Sequence, residues 1–129
     1  MSDEQVEETS EWMRRIGYRR VLRRGPLAVV SGCGPIGPDG EVVAGDAYAK
    51  ARQCLKVVEA ALATVGASAA DVVQTRIYLH DVADWEAAGR AHGELFGDVR
   101  PVTTMVGAQL LDPAFQVEIE ATAWVGDDR

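Results

Sequence analysis

Hydrophobic and polar residues alternate along FQVEIEATAWV, residues 115–125. Val117, Ile119, Ala121, Ala123 and Val125 fall on one side, and Gln116, Glu118, Glu120, Thr122 and Trp124 on the other. A period of two predicts a half-buried strand. It puts two carboxylates roughly 7 Å apart on one face, close enough to repel. Upstream the period changes. Ala47, Ala51, Cys54, Leu55, Val58, Ala61, Leu62 and Val65 recur at spacings of three and four between a capping Asp46 and a terminating Gly66, which predicts an amphipathic helix. After Asp71 the β-branched run VVQTRIYL (72–79) predicts a strand. A second helix is expected from near Asp84 to Gly97, turning Trp85, Ala88, His92, Leu95 and Phe96 inward. Shorter strands are expected at Tyr18–Leu22, at LAVVSG (27–32) and at TTMVGA (103–108). Arg24-Gly25-Pro26 forms a turn, and a breaker-dense loop over 33–40 leads to Glu41-Val42-Val43.

This order of strands, helix, strand, helix and strands is an α+β pattern, with two helices covering one face of a single mixed sheet. The last strand presents small apolar residues suited to packing under helices. Its other face mixes Glu118, Glu120, Thr122 and Trp124, a composition closer to a subunit interface than to open water or dry core. A homo-oligomer with pockets at its seams is therefore expected. Residues 1–12 read as frayed or weakly helical. The division is a flexible segment over 1–15 and a single domain over 16–129.

At 129 residues the chain can bury a core without staples. No apolar run approaches the roughly 18 residues of a membrane helix, and the acidic N-terminus resembles neither a signal nor a transit peptide. Cytoplasmic residence is the default expectation, with no membrane partner. The net charge of −7 argues against general nucleic-acid affinity. Within it, Arg14, Arg15, Arg19, Arg20, Arg23 and Arg24 crowd six of the thirteen basic residues together. Such a run either binds an anion or forms a solvated arm paired to the acids before it.

Little familiar chemistry is present. SGCGPIG lacks the following helix of a phosphate loop. His80 and His92 are twelve apart in different elements and suggest no metal site. His92 fits a satisfied core histidine and His80 an exposed one. Cys33, in a glycine-rich loop, is a candidate nucleophile without a basic partner nearby in sequence, and Cys54 fits helix packing. Glu118 is the strongest titratable candidate. A neighbouring carboxylate and partial burial would both raise its pKa toward neutrality, whereas pairing with arginine would make it structural.

Arg100-Pro101-Val102-Thr103-Thr104-Met105-Val106, then Leu111, then Val117-Glu118-Ile119-Glu120-Ala121, resembles the C-terminal signature of the reactive intermediate deaminase (Rid, formerly YjgF-like) family, also labelled endoribonuclease L-PSP. Gly17-Tyr18 followed by Val29-Val30-Ser31-Gly32 matches the same family, and the resemblance extends over about residues 16–126. It implies a chorismate-mutase-like fold, a homotrimer with clefts between subunits, and cofactor-free hydrolysis of enamines or imines. It places Tyr18, Ser31, Gly32 and Met105 in the substrate-binding cleft. Glu118 and Thr103 take the catalytic positions, Glu118 handling water, and Glu120 is structural.

The departures are instructive. Deaminating members carry an arginine for the substrate carboxylate where this chain has Thr103, and a hydroxyl cannot replace a guanidinium. The usual cysteine is Met105, and an asparagine common on the second helix is Gly89. The chain thus resembles a divergent branch without the arginine. Three functions follow as expectations: water or proton chemistry through Glu118 on a small molecule anchored differently, a non-catalytic metabolite-binding trimer, or RNA binding or cleavage through the arginine run. Whether one of the clustered arginines takes over the missing role is left open by the sequence.

Overall fold

The computed structural model describes residues 10–126. It opens with a short helix, α1 (Glu11–Ile16), whose first residues fall in the stretch 1–12 that was expected to be frayed or weakly helical. Ser10 caps it by accepting from the Met13 N–H, and Gly17, at φ +90°, ends it in a left-handed turn that suits glycine. Met13 is its buried residue. The rest of the expected N-terminal segment, residues 1–9, lies outside the described residues.

Strands β1 (Val21–Arg24) and β2 (Leu27–Cys33) form a hairpin around Gly25-Pro26. The two-residue connection pairs Arg24 with Leu27, so β1 runs to Arg24 and not to Leu22. Helix α2 (Ala47–Thr64) follows, capped by Asp46 Oδ1 on the Ala49 N–H at 3.0 Å. Then come β3 (Val72–Leu79), α3 (Trp85–Phe96), β4 (Val102–Gly107) and β5 (Val117–Trp124).

The five strands form one mixed sheet in the order β1-β2-β5-β3-β4. Only β3 and β4 run parallel, as a strand–helix–strand crossover through α3 requires. The final strand is inserted at the centre, antiparallel to β2 and β3. Its Val117, Ile119, Ala121 and Ala123 are buried with Cys54, Leu55, Val58 and Leu62 of α2 and Ala88, Ala91 and Phe96 of α3. The fold is therefore the expected α+β arrangement, with two helices over one face of a mixed sheet.

One core assignment changes. Trp85, expected to point inward, is 59% exposed. It lies at the start of α3, over the edge strand β4, and borders a hollow with Val82, Met105 and Val106, where no further layer covers it.

The other sheet face has no covering layer among the described residues. Leu27, Val29, Val106 and Trp124 are exposed large hydrophobics of its strands. Between them runs a polar cross-strand pair. Arg76 meets Glu120 at 3.1 Å, and the Tyr78 hydroxyl donates to Glu120 at 2.6 Å.

Candidate functional site

The two glutamates of β5 have different surroundings. Glu120 is held on its own chain by Arg76 and Tyr78. Glu118, two residues earlier, lies against β2 where the pairing slips between Val30 and Cys33, leaving Ser31 and Gly32 as a bulge. Gly32 is needed there. A methyl group on it would overlap Glu118 Oε2 and lie 3.1 Å from the carboxyl carbon. Without a side chain, the bulge backbone lies directly beneath the carboxylate.

Glu118 faces a hollow of about 530 Å³ lined by Trp12, Met13, Tyr18, Arg20, Gly32, Gly34, Ile36, Val57 and Phe115, among others. Phe115 is pressed onto Gly34, where an added methyl would overlap its ring. Burial raises the Glu118 pKa. Arg20 opposes the rise and Glu120 adds to it. The result is a carboxylate in apolar surroundings that holds its proton more readily than an exposed glutamate.

Arg20 is the site residue that the sequence did not single out. Its Nη1 donates to the Gly32 carbonyl at 2.8 Å and to Ser31 Oγ at 3.1 Å, with a long contact to Cys33 Sγ at 3.5 Å. The guanidinium therefore braces the bulge and lines the same hollow as Glu118. No local pattern picks it out of the run: residues 18–20 precede β1 and belong to no strand, and only the fold brings Tyr18 and Arg20 to one hollow. Arg23 behaves differently, capping the end of α2 by donating to the Val65 carbonyl at 2.8 Å. Two members of the arginine run thus have built positions, which a uniformly solvated arm would not give.

Tyr18, Gly32 and Glu118 line this hollow, and Ser31 is tied to it through Arg20. Thr103 and Met105 lie elsewhere. Thr103 pairs with Thr75 and Met105 with Ile77, both on the helix-covered face, whereas Glu118 pairs with Tyr78 on the opposite face. Thr103 Oγ1 is 2.8 Å from Thr75 Oγ1, which is 2.8 Å from His92 Nε2. Met105 Cε lies 3.8 Å from where a Gly89 methyl would be, next to α3. Within one chain these residues do not join Glu118.

The remaining candidates settle quietly. His92 is satisfied by Thr75, and burial lowers its pKa. His80 is exposed and accepts at 3.4 Å from the Leu110 N–H. Burial pushes the Cys33 thiol up to about 11 despite the nearby Arg20, so it is protonated at neutral pH and a poor nucleophile. Cys54 is packed in the core. Among the described residues no three His, Cys, Asp or Glu side chains group as metal ligands. No helix among them is long and apolar enough to cross a membrane.

The sequence model of the family described as Endoribonuclease L-PSP matches residues 10–125. A member of the YjgF/YER057c/UK114 family from Mycobacterium tuberculosis has a similar solved structure. Its TM-score is 0.82 at 43% identity, covering 92% of this chain and 95% of that one. A RutC family protein of Pyrococcus horikoshii is 32% identical over 108 residues, 83% of this chain and 86% of the relative. The 3-aminoacrylate deaminase RutC of Acinetobacter baylyi is 34% identical over 100 residues, 77% of this chain and 79% of its own length.

Proposed function

The chain belongs to the endoribonuclease L-PSP family, the family of YjgF and RutC, and from that premise we propose that it hydrolyses a small imine or enamine with Glu118 as the proton carrier. The observation behind this is the half-buried Glu118 carboxylate, facing an apolar hollow with its pKa raised. Water adds to the carbon of the protonated imine as Glu118 takes a proton from the water, giving a neutral carbinolamine. Glu118 then returns that proton to the nitrogen, and the carbon–nitrogen bond breaks as the hydroxyl loses its own proton to solvent. The products are a carbonyl compound and ammonia. An enamine is first protonated at carbon to reach the same imine. A deaminase activity also fits the name of the Acinetobacter baylyi relative. No resident cofactor is invoked.

The proposed working form is a homotrimer. Its support is the uncovered sheet face, where Leu27, Val29 and Trp124 are exposed together. Thr103 and Met105 contribute to ligand binding only if β4 of one copy closes over the Glu118 hollow of the next. That geometry would place the edge strand's Val102, 71% exposed on one chain, in contact with a neighbour. A non-catalytic metabolite-binding trimer is the second reading, favoured by the engagement of Thr103 with Thr75, which leaves its hydroxyl already bonded.

Glu118→Gln separates the two. Under the hydrolytic reading, ammonia release from imines generated in situ by an amino-acid oxidase stops while ligand binding and oligomeric state persist. Unchanged release by the variant removes Glu118 from the mechanism. An RNA-directed function predicts binding that weakens steeply with salt, which a chain of net charge −7 does not favour.

A further inference from the structure

We propose that Thr103 is the open end of a one-way hydrogen-bond chain from His92, and that its free lone pair takes the N–H of a small molecule whose apolar body lies against Trp85. The proposal rests on the reading of this chain as a small-molecule protein with β4 at the ligand, and not on proton transfer by Glu118. It adds the polarity of the contact and the class of ligand that fits it.

Three contacts run in series. His92 Nε2 is 2.8 Å from Thr75 Oγ1, Thr75 Oγ1 is 2.8 Å from Thr103 Oγ1, and Thr103 Oγ1 is 3.1 Å from the Pro101 carbonyl oxygen. Each hydroxyl has one hydrogen to give. The carbonyl only accepts, so the Thr103 hydrogen goes to it. The Thr75 hydrogen then lies between the two threonines, and the contact with His92 is filled when Nε2 carries the hydrogen. The opposite direction leaves the Pro101 contact empty. Thr75 is 1% exposed, so solvent does not replace a missing partner there. Burial lowers the His92 pKa, so at neutral pH the ring is uncharged and its hydrogen is on Nε2 alone.

Thr103 is exposed. With its hydrogen on Pro101 and one lone pair taken by Thr75, a single lone pair is left for a ligand. A ligand carbonyl or carboxylate needs the hydrogen instead. Turning it outward empties the Pro101 contact and leaves two oxygens 3.1 Å apart with no hydrogen between them. A ligand N–H disturbs none of the three bonds. The protonated imine of the proposed hydrolysis carries such an N–H.

The body of the ligand follows from the same strand. Thr103 and Met105 project from one side of β4, roughly 7 Å apart. Met105, with Val82, Trp85 and Val106, lines a hollow of about 430 Å³. Val82 and Trp85 are both more than half exposed. Open apolar surface beside one oriented polar group is the composition of a small-molecule site. A flat bicyclic ring spans the distance, with its N–H at Thr103 and its carbon rim on Met105 and Trp85.

The test uses the intact, isotope-labelled protein and three probes of similar shape: indole, benzofuran and 1-indanone. Nitrogen-15 NMR at neutral pH should show His92 as the Nε2–H tautomer; the Nδ1–H tautomer overturns the chain without any ligand. Titration followed at the Met105 methyl should give indole about three- to tenfold tighter than benzofuran, the worth of one neutral hydrogen bond, and 1-indanone no tighter than benzofuran. Thr103→Val should erase the preference and Thr103→Ser should keep it. Glu118→Gln should also keep it where turnover is lost, so failure of the hydrolytic reading and failure of this one are distinguishable. Equal binding of indole and benzofuran overturns the proposal. So does 1-indanone binding as tightly as indole, binding of neither at millimolar concentration, or an indole preference that survives in Thr103→Val with an unchanged melting temperature.

Discussion

Adding one methyl group at Gly32 should uncouple activity from stability. Gly32 is not among the glycines at positive φ, so alanine is permitted by the backbone there. Loss of glycine's freedom in the unfolded chain would favour folding by about 0.4–1 kcal/mol. Against this, the new Cβ overlaps Glu118 Oε2 and lies 3.1 and 3.3 Å from Cδ and Cγ. All three atoms belong to the far part of one flexible side chain, which can rotate away at about 0.5–1.5 kcal/mol if it leaves its rotamer well. The terms nearly cancel, and Gly32→Ala should shift the melting temperature by no more than about 3–5 °C. The carboxylate cannot stay in place, and a displacement of about 1 Å is enough to reduce turnover on the order of 100-fold. Carbon-13 NMR titration of the Glu118 carboxyl checks this without any substrate. Burial is the main reason its pKa is raised, so a side chain swung toward solvent should titrate closer to an ordinary glutamate. The reasoning is refuted if Gly32→Ala leaves the Glu118 titration and turnover unchanged, or if the variant loses several kcal/mol of stability.

Other consequences follow from the same contacts. Glu118 has a folded-state pKa above its ordinary 4.5, so its favourable contribution is complete below that value and is lost as pH rises through the raised pKa. Glu118→Gln, which cannot ionise, should therefore gain stability relative to the parent as pH rises through that window, read from denaturant midpoints; a constant difference across pH would contradict it. Thr75→Val removes the hydroxyl shared by His92 and Thr103, and should cost about 1–3 kcal/mol in urea unfolding because two partners lose their bond. Phe96→Ala empties one of the largest fully buried sites and should cost about 3–5 kcal/mol by the same measurement. Cys33, buried with its thiol near 11, should react with a thiol reagent at neutral pH only after unfolding; fast native-state labelling would restore it as a nucleophile.

How far the sequence could be read depended on whether a signal was local. β3 occupies Val72–Leu79, where a β-branched run predicts it, and α2 starts at its Asp46 cap. These features concern residues within one or two turns of each other. The alternation in β5 also fixed its buried set, because side-chain parity is a property of a single strand. Trp85 shows the limit. Its angular position on α3 suits the inner stripe, but whether a layer lies beneath it depends on how far the sheet extends, and β4 is the last strand. The start of β1 was misjudged for a similar reason, since the hairpin pairing and not the composition of Tyr18–Leu22 fixes its ends.

The candidate site was harder to read because it depends on parity between strands. Glu118, Thr103 and Met105 each sit in a recognisable pattern, yet nothing along the chain states that β5 pairs Glu118 with Tyr78 while β3 pairs Thr75 with Thr103. Those two registers send the acid to the open face and the threonine to the helix face, so on one chain the pattern splits into two halves. The half with Glu118 is also the half with Arg20, and here the charges matter more than the motif. Burial alone would favour a protonated, inert acid. Arg20 alone would favour a plain carboxylate. Acting together on one side chain they leave its pKa raised but opposed, and the proposed hydrolysis asks such a group to release and recover a proton in the same cycle.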